Sequence, residues 1–112
     1  MAEIVNKELV KIVDLIKLNI GDIDTLNILM CQLVSKKIND DTKIKILKIL
    51  LRLNVEFEYD NYAILRICFL NNDFEFLKKL LAEFTYLKKH YYNAIKKFID
   101  LKTQKTPENF CL

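Results

Sequence analysis

The sequence predicts an all-α fold built as a short stack of helix-turn-helix repeats with partial capping units at its ends. Three observations carry this. One glycine and one proline in 112 residues are too few for the positive-φ turns of hairpins and barrels, or for the loops of nucleotide-binding folds. Apolar residues recur with a helical period almost from end to end. A helix-length pattern also recurs within the chain, the mark of a repeat architecture. An apolar fraction of 52% beside 29% charged residues supplies one core and a wetted surface, and excludes a disordered chain.

Three segments show the helical period most clearly. In residues 8–19 the apolar set is Leu9, Ile12, Val13, Leu15 and Ile16, with Lys11 and Asp14 opposite. In residues 42–53 the apolar majority leaves Lys45, Lys48 and Arg52 on one narrow stripe at i, i+3, i+7. In residues 73–84, Phe74, Leu77, Leu80, Leu81 and Phe84 form the inner face. Further helices fit roughly at 25–36, 61–71 and 90–102. Asp24, Asp41, Asp60 and Asp73 stand where a short carboxylate can accept from the free N–H groups of a helix start. The longest connection is the polar stretch Ser35 to Asp41. Residues 103–112 hold the only proline and no periodicity, so they read as a tail.

The recurrence is specific. Ile12 to Ile20 aligns with Leu47 to Val55 at an offset of 35, sharing a helix, a basic residue, Leu-Asn and a β-branched residue. With one residue slipped, Asp24 to Leu29 falls on Asp60 to Leu65. Lys79-Leu80-Leu81 ends a third helix as Ile49-Leu50-Leu51 ends the second.

These residues resemble an ankyrin-repeat protein. Between Tyr62 and Leu81, Leu65 stands at the family's buried leucine and Cys68 at its small buried alanine. Asn71-Asn72-Asp73 takes the place of its inter-helix turn, and Phe74 to Lys78 that of its Leu-Glu-Val-Val-Lys segment. The pattern extends over Asp24–Val55. It makes residues 1–102 a single domain, with a half unit at 8–20, repeats at 22–55 and 57–84, and a C-terminal cap at 88–102. The family's Thr-Pro-Leu-His element is absent. Asn19, Asn54 and Asn72 replace its turn glycines, asparagine being the next-best residue in the left-handed conformation. Such glycine-poor repeats, rich in Ile, Lys and Asn, look like those of large DNA viruses and intracellular bacteria. The resemblance implies a protein-binding face of fingers and first helices.

Charge and cysteine usage narrow the classes further. A net charge of +3, with Lys and Asp/Glu interleaved, is unlike the one-sided excess of a phosphate-neutralising protein. Cys31 and Cys68 lie in apolar runs as small hydrophobes, and with Cys111 they form no C-x-x-C pair. Glu3, Lys7, Glu8 and Lys11 interrupt any signal-peptide core. No run approaches the ~20 apolar residues of a membrane helix. The expected setting is cytoplasmic, including a host cytoplasm or nucleus.

Candidate chemistry is sparse. His90 has no carboxylate or thiol at ligand spacing, so no metal site or catalytic base is expected. Asp22/Asp24 and Asp40/Asp41 read as helix caps more readily than as acid/base pairs. The richest segment is the finger Phe57-Glu58-Tyr59-Asp60-Asn61-Tyr62. Its tyrosines and carboxylates suit a binding surface, although Phe57 and one tyrosine could equally serve packing.

The expectation is a non-catalytic adaptor or inhibitor of host-modulating kind, monomer or homodimer, without cofactor or metal. It would bind another protein through Tyr59, Asn61, Tyr62, Arg66 and Asn71, with Asp22, Thr25 and Asn27 from the preceding unit. Two alternatives use other features. Lys88, Lys89, Lys96 and Lys97, interleaved with aromatics, could contact nucleic acid. A helical bundle could grip a partner helix in a groove and so regulate cell death or signalling, but a single-groove bundle has no reason to repeat.

Overall fold

In the computed structural model of the chain, four of the described helices start where a short polar side chain closes the first turn. Residues 6–102 are described, with side chains described for residues 6–96. The expectations for the tail at 103–112, for Cys111 and for the side chain of Lys97 lie outside those residues. The described residues form α1 Lys7–Leu18, α2 Ile23–Val34, α3 Asp40–Arg52, α4 Tyr59–Leu70, α5 Phe74–Glu83, a 3-10 turn at Thr85–Leu87 and α6 Lys88–Lys102. The architecture is all-helical among the described residues. The chain divides into two compact units between Glu56 and Phe57.

Capping obeys the expected chemistry at shifted positions. Asn6 accepts from the N–H groups of Glu8 and Leu9, Asn39 from those of Asp41 and Thr42, and Asp73 from that of Phe76. At α2 the cap is Asp22, which accepts from the Thr25 N–H. Asp24 and Asp41, expected as caps, instead lie in the first turns of their helices. There a negative charge still complements the helix dipole. Asp60, also expected as a cap, instead lies inside the first turn of α4 with its carboxylate on Arg66.

The helix ends show where Asn19, Asn54 and Asn72 sit in the left-handed region and where they do not. At the end of α3, Asn54 takes φ +73. Its N–H donates to the Leu51 carbonyl at 3.1 Å, and the Val55 N–H donates to the Leu50 carbonyl at 3.1 Å. This is a complete Schellman closure. The end of α4 repeats it: Asn72 has φ +59, its N–H reaches the Phe69 carbonyl at 3.1 Å, and the Asp73 N–H reaches that of Cys68 at 2.9 Å. Asp73 thus closes α4 with its backbone and opens α5 with its side chain. Asn19 differs. It sits at φ −120°, and the left-handed residue of that turn is Gly21 at φ +96°.

In the first unit α2 packs against both α1 and α3. That double contact explains why Leu26, Leu29, Met30, Leu33 and Val34 are all buried. Each such side chain contributes about 1.5–3 kcal/mol relative to exposure. Two ties fix the unit's loop. Asn6 Nδ2 donates to the Lys37 carbonyl at 3.0 Å, and the Lys37 N–H donates to Glu8 Oε2 at 3.0 Å. Lys43 is 3% exposed, and its Nζ donates to the Val34 carbonyl at 3.0 Å. It thereby supplies a cation to the C-terminus of α2, whose own last turn has none. On α3, Lys45, Lys48 and Arg52 are exposed as expected, joined by Ile49.

In the second unit α4 packs against α5 and α6. Leu77, Leu80 and Leu81 of α5 are buried, but Phe76 is its innermost aromatic, at 0% exposure. Phe74 and Phe84 are only half-buried. The inner face is therefore rotated from the expected one toward Phe76, at i, i+1, i+4 and i+5. On α6, Tyr91, Ala94 and Ile95 point inward while Lys89, Asn93 and Lys96 are exposed.

Candidate protein-binding surface

The segment from Phe57 to Tyr62 is where the backbone departs most from its surroundings. Asp60, Asn61 and Tyr62 adopt φ/ψ of 51/47, 54/54 and 58/47 degrees, three consecutive left-handed residues at the nominal start of α4. The left-handed region costs an ordinary L-residue roughly 1–2 kcal/mol, less for Asn and Asp, and is seldom occupied by neighbours in a row. Tyr62 carries the largest share, since its side chain gains no local hydrogen bond from the conformation. Together the three cost on the order of 3 kcal/mol.

Named contacts hold the segment in place. Phe57 is 2% exposed. Its ring meets Phe84 edge-on at 4.9 Å and stacks with Tyr86 at 6.4 Å. The Tyr62 ring stacks on His90 at 4.4 Å with 15° between the planes. Asp60 Oδ2 accepts from Arg66 Nη2 at 3.0 Å. An aromatic pair contributes about 0.5–1.5 kcal/mol beyond burial, an exposed ion pair about 0–1, and burial of Phe57 about 1.5–3. Together these contacts are large enough to offset the backbone cost. Asp60 is thus a brace to α4 further along the helix, which is why it is not a cap. Glu58 sits in the cap position with no side-chain cap bond.

The turn is electrostatically distinct. The Tyr62 hydroxyl is pushed above the usual tyrosine range by burial and then by the Glu58 carboxylate. The Tyr86 hydroxyl is pushed up by burial, then by Tyr62 and Glu58. The ring pairs Phe57–Tyr86 and Tyr62–His90 bring the 57–62 turn, with Glu58 next to Phe57 in the chain, against the 86–90 segment.

The expected binding residues fall into separate places. Tyr59, Asn61, Tyr62 and Arg66 gather at the strained turn and the first part of α4. Asn61 is exposed, Tyr59, Tyr62 and Arg66 half-buried. Asn71 is exposed but caps the opposite end of α4. In the first unit Asp22 and Thr25 engage each other: Thr25 N and Oγ1 donate to the Asp22 carboxylate at 3.2 and 2.7 Å. Those bonds hold the Asp22 carboxyl below its usual range. Asn27, expected on the surface, is instead 8% exposed. Its Oδ1 accepts from the Glu56 N–H at 3.4 Å, so the side chain satisfies a backbone donor.

Of the alternative set, Lys88, Lys89 and Lys96 are exposed on α6. Sequence reasoning missed the stacking of His90 and the burial of Phe57 against Phe84 and Tyr86. These pair residues far apart in the chain, and no local pattern announces them. The left-handed turn had a local signal, since Asp and Asn are the residues other than glycine most tolerant of that region. Among the described residues no three His, Cys, Asp or Glu side chains converge as metal ligands. No helix among them is long and apolar enough to cross a membrane. No protein-family model, curated protein or solved structure matches the chain.

Proposed function

We propose that the chain is a non-catalytic protein-protein interaction module, an adaptor or inhibitor, whose principal contact is the turn from Phe57 to Tyr62. The observation that carries this reading is the left-handed run at Asp60, Asn61 and Tyr62. Backbone strain of this kind persists only where surrounding contacts fix it, and it gathers at ligand clamps and binding loops. The braces on this turn leave Asn61 exposed and Tyr59 partly so, on a backbone that needs no further ordering to bind. Preorganisation of that sort removes part of the entropic cost of association.

The helix pairs α2–α3 and α4–α5 are read as diverged ankyrin-like units in this proposal, on the sequence recurrence and the resemblance alone. The cytoplasmic, host-modulating setting rests on the resemblance alone. The test is recovery of partners by affinity purification from the native cell, comparing the parent chain with Tyr59→Ala/Tyr62→Ala. A folded double variant that recovers the same proteins in the same amounts removes the turn from the binding surface.

A further inference from the structure

We propose that the corner formed by Phe57, Glu58, Tyr62 and Tyr86 is a socket for an arginine side chain presented by a partner protein. The inference rests on the protein-binding reading of the turn and names the chemistry that the turn recognises.

Two ring pairs build the corner. Phe57 stacks with Tyr86, and Tyr62 stacks with His90. The first and last residues of one turn are thereby anchored to the 86–90 segment, and Glu58 lies between them in the chain. Phe57 is buried and holds the Tyr86 ring from beneath, while Tyr86 is 51% exposed and keeps aromatic surface open to solvent. Glu58 is exposed, and its carboxylate makes no hydrogen bond or ion pair with a described residue. The neighbouring Asp60 is already neutralised by Arg66. One free carboxylate beside partly exposed tyrosine rings is the arrangement that attracts a cation by charge and by ring quadrupole at once. The mutual influence of Glu58, Tyr62 and Tyr86 on their ionisation agrees with that proximity. Arginine fits better than lysine. Its planar guanidinium stacks on a ring while its N–H fork meets a carboxylate, and it is less strongly hydrated.

The test uses the full chain and short probe peptides: one of alternating glycine and arginine, one of glycine and lysine, and one of glycine and norleucine. Tyrosine-ring signals are monitored by NMR. The arginine peptide is expected to shift the Tyr62 and Tyr86 rings with a dissociation constant near the millimolar range, about 4 kcal/mol of affinity. Glu58→Gln, at an exposed position, is expected to weaken this about 5-fold, the equivalent of roughly 1 kcal/mol. Tyr86→Ala is expected to abolish the shift at Tyr62. Equal shifts from the norleucine peptide, equal affinity for lysine, or indifference to Glu58→Gln each overturn the proposal. Recovery of native partners that depends on Tyr59 and Tyr62 but not on Glu58 would sink the socket and leave the interaction module standing. Recovery indifferent to all three would sink both.

Discussion

Replacing Tyr62 by alanine and, separately, by glycine asks whether the turn is held in the left-handed region. Both variants delete the ring and lose the stack on His90, so that loss cancels in the comparison. In a right-handed helix glycine is the worse residue by about 0.5–1 kcal/mol. At φ +58° the alanine Cβ meets the following carbonyl, which costs roughly 1–2 kcal/mol and which glycine avoids. Against this stands the greater freedom of glycine in the unfolded chain. The net expectation is that Tyr62→Gly is the more stable variant, by about 0.5–1 kcal/mol. All five tyrosines of the chain, Tyr59, Tyr62, Tyr86, Tyr91 and Tyr92, lie after Glu56. Tyrosine fluorescence in urea therefore reports the second unit alone. With a slope near 1.5 kcal/mol/M, the glycine variant should unfold at a midpoint about 0.5 M higher than the alanine variant. A higher midpoint for Tyr62→Ala would show the segment to be an ordinary helical turn and remove the strain argument.

Four further outcomes rest on single residues. Asn54→Ala and Asn72→Ala should each cost about 1 kcal/mol, while Asn54→Gly and Asn72→Gly should cost nothing or stabilise slightly, as read by urea unfolding. Burial, then the Cys68 thiolate, pushes the Tyr91 hydroxyl up to about 12. The unfolded chain sheds that proton near pH 10, so stability should be intact below pH 10 and fall as pH climbs toward 12; Tyr91→Phe should abolish this part of the alkaline decline in pH-dependent unfolding. Thr25→Val removes the larger of the bonds that lower Asp22, so NMR titration should find its carboxyl raised from the parent value. In the parent this link stabilises above the ordinary value of 3.8 and fades as pH falls below it. Gly21→Ala should cost about 1 kcal/mol through backbone strain alone, since a Cβ there meets nothing within 4 Å; thermal unfolding unchanged by the substitution would contradict that.

The helices were legible because the apolar spacing that marks them is the same spacing that buries Ile12, Ile16, Leu47, Leu50, Leu77 and Leu80. The Asn54 and Asn72 turns were legible because few residues other than asparagine tolerate that backbone without glycine. What stayed hidden had one of two causes. Some choices lay between near-equivalent neighbours: Asp22 against Asp24, or Phe76 against Phe74, where a shift of two residues changes the face and the letters give little preference. The rest depended on partners distant in sequence. Nothing near Tyr62 announces His90, and nothing near Asn27 announces the Glu56 N–H that it satisfies. Within the candidate surface, Asp60 and Asn61 carried a local signal for the left-handed turn, but nothing in the sequence extended it to Tyr62.

Similar letters do not impose the same backbone in the two aligned stretches, and the cause is the chain immediately C-terminal to each. Leu18-Asn19-Ile20 and Leu53-Asn54-Val55 differ only in which β-branched residue ends them, yet only Asn54 is left-handed. A glycine stands two positions after Asn19, and Gly21 takes the positive φ at lower cost than asparagine. Between Asn54 and α4 there is no glycine, so the asparagine must reverse the chain itself. The starts of the next helices diverge in turn. Asp22 can cap α2 in the ordinary way because the turn before it is already made. The approach to α4 carries Phe57 into the aromatic contacts with Phe84 and Tyr86 and leaves Asp60, Asn61 and Tyr62 to absorb the geometry. The two stretches thus differ at the turn that follows them: the left-handed run of Asp60, Asn61 and Tyr62 that opens α4 has no counterpart at the start of α2, where Asp22 caps with φ −98°.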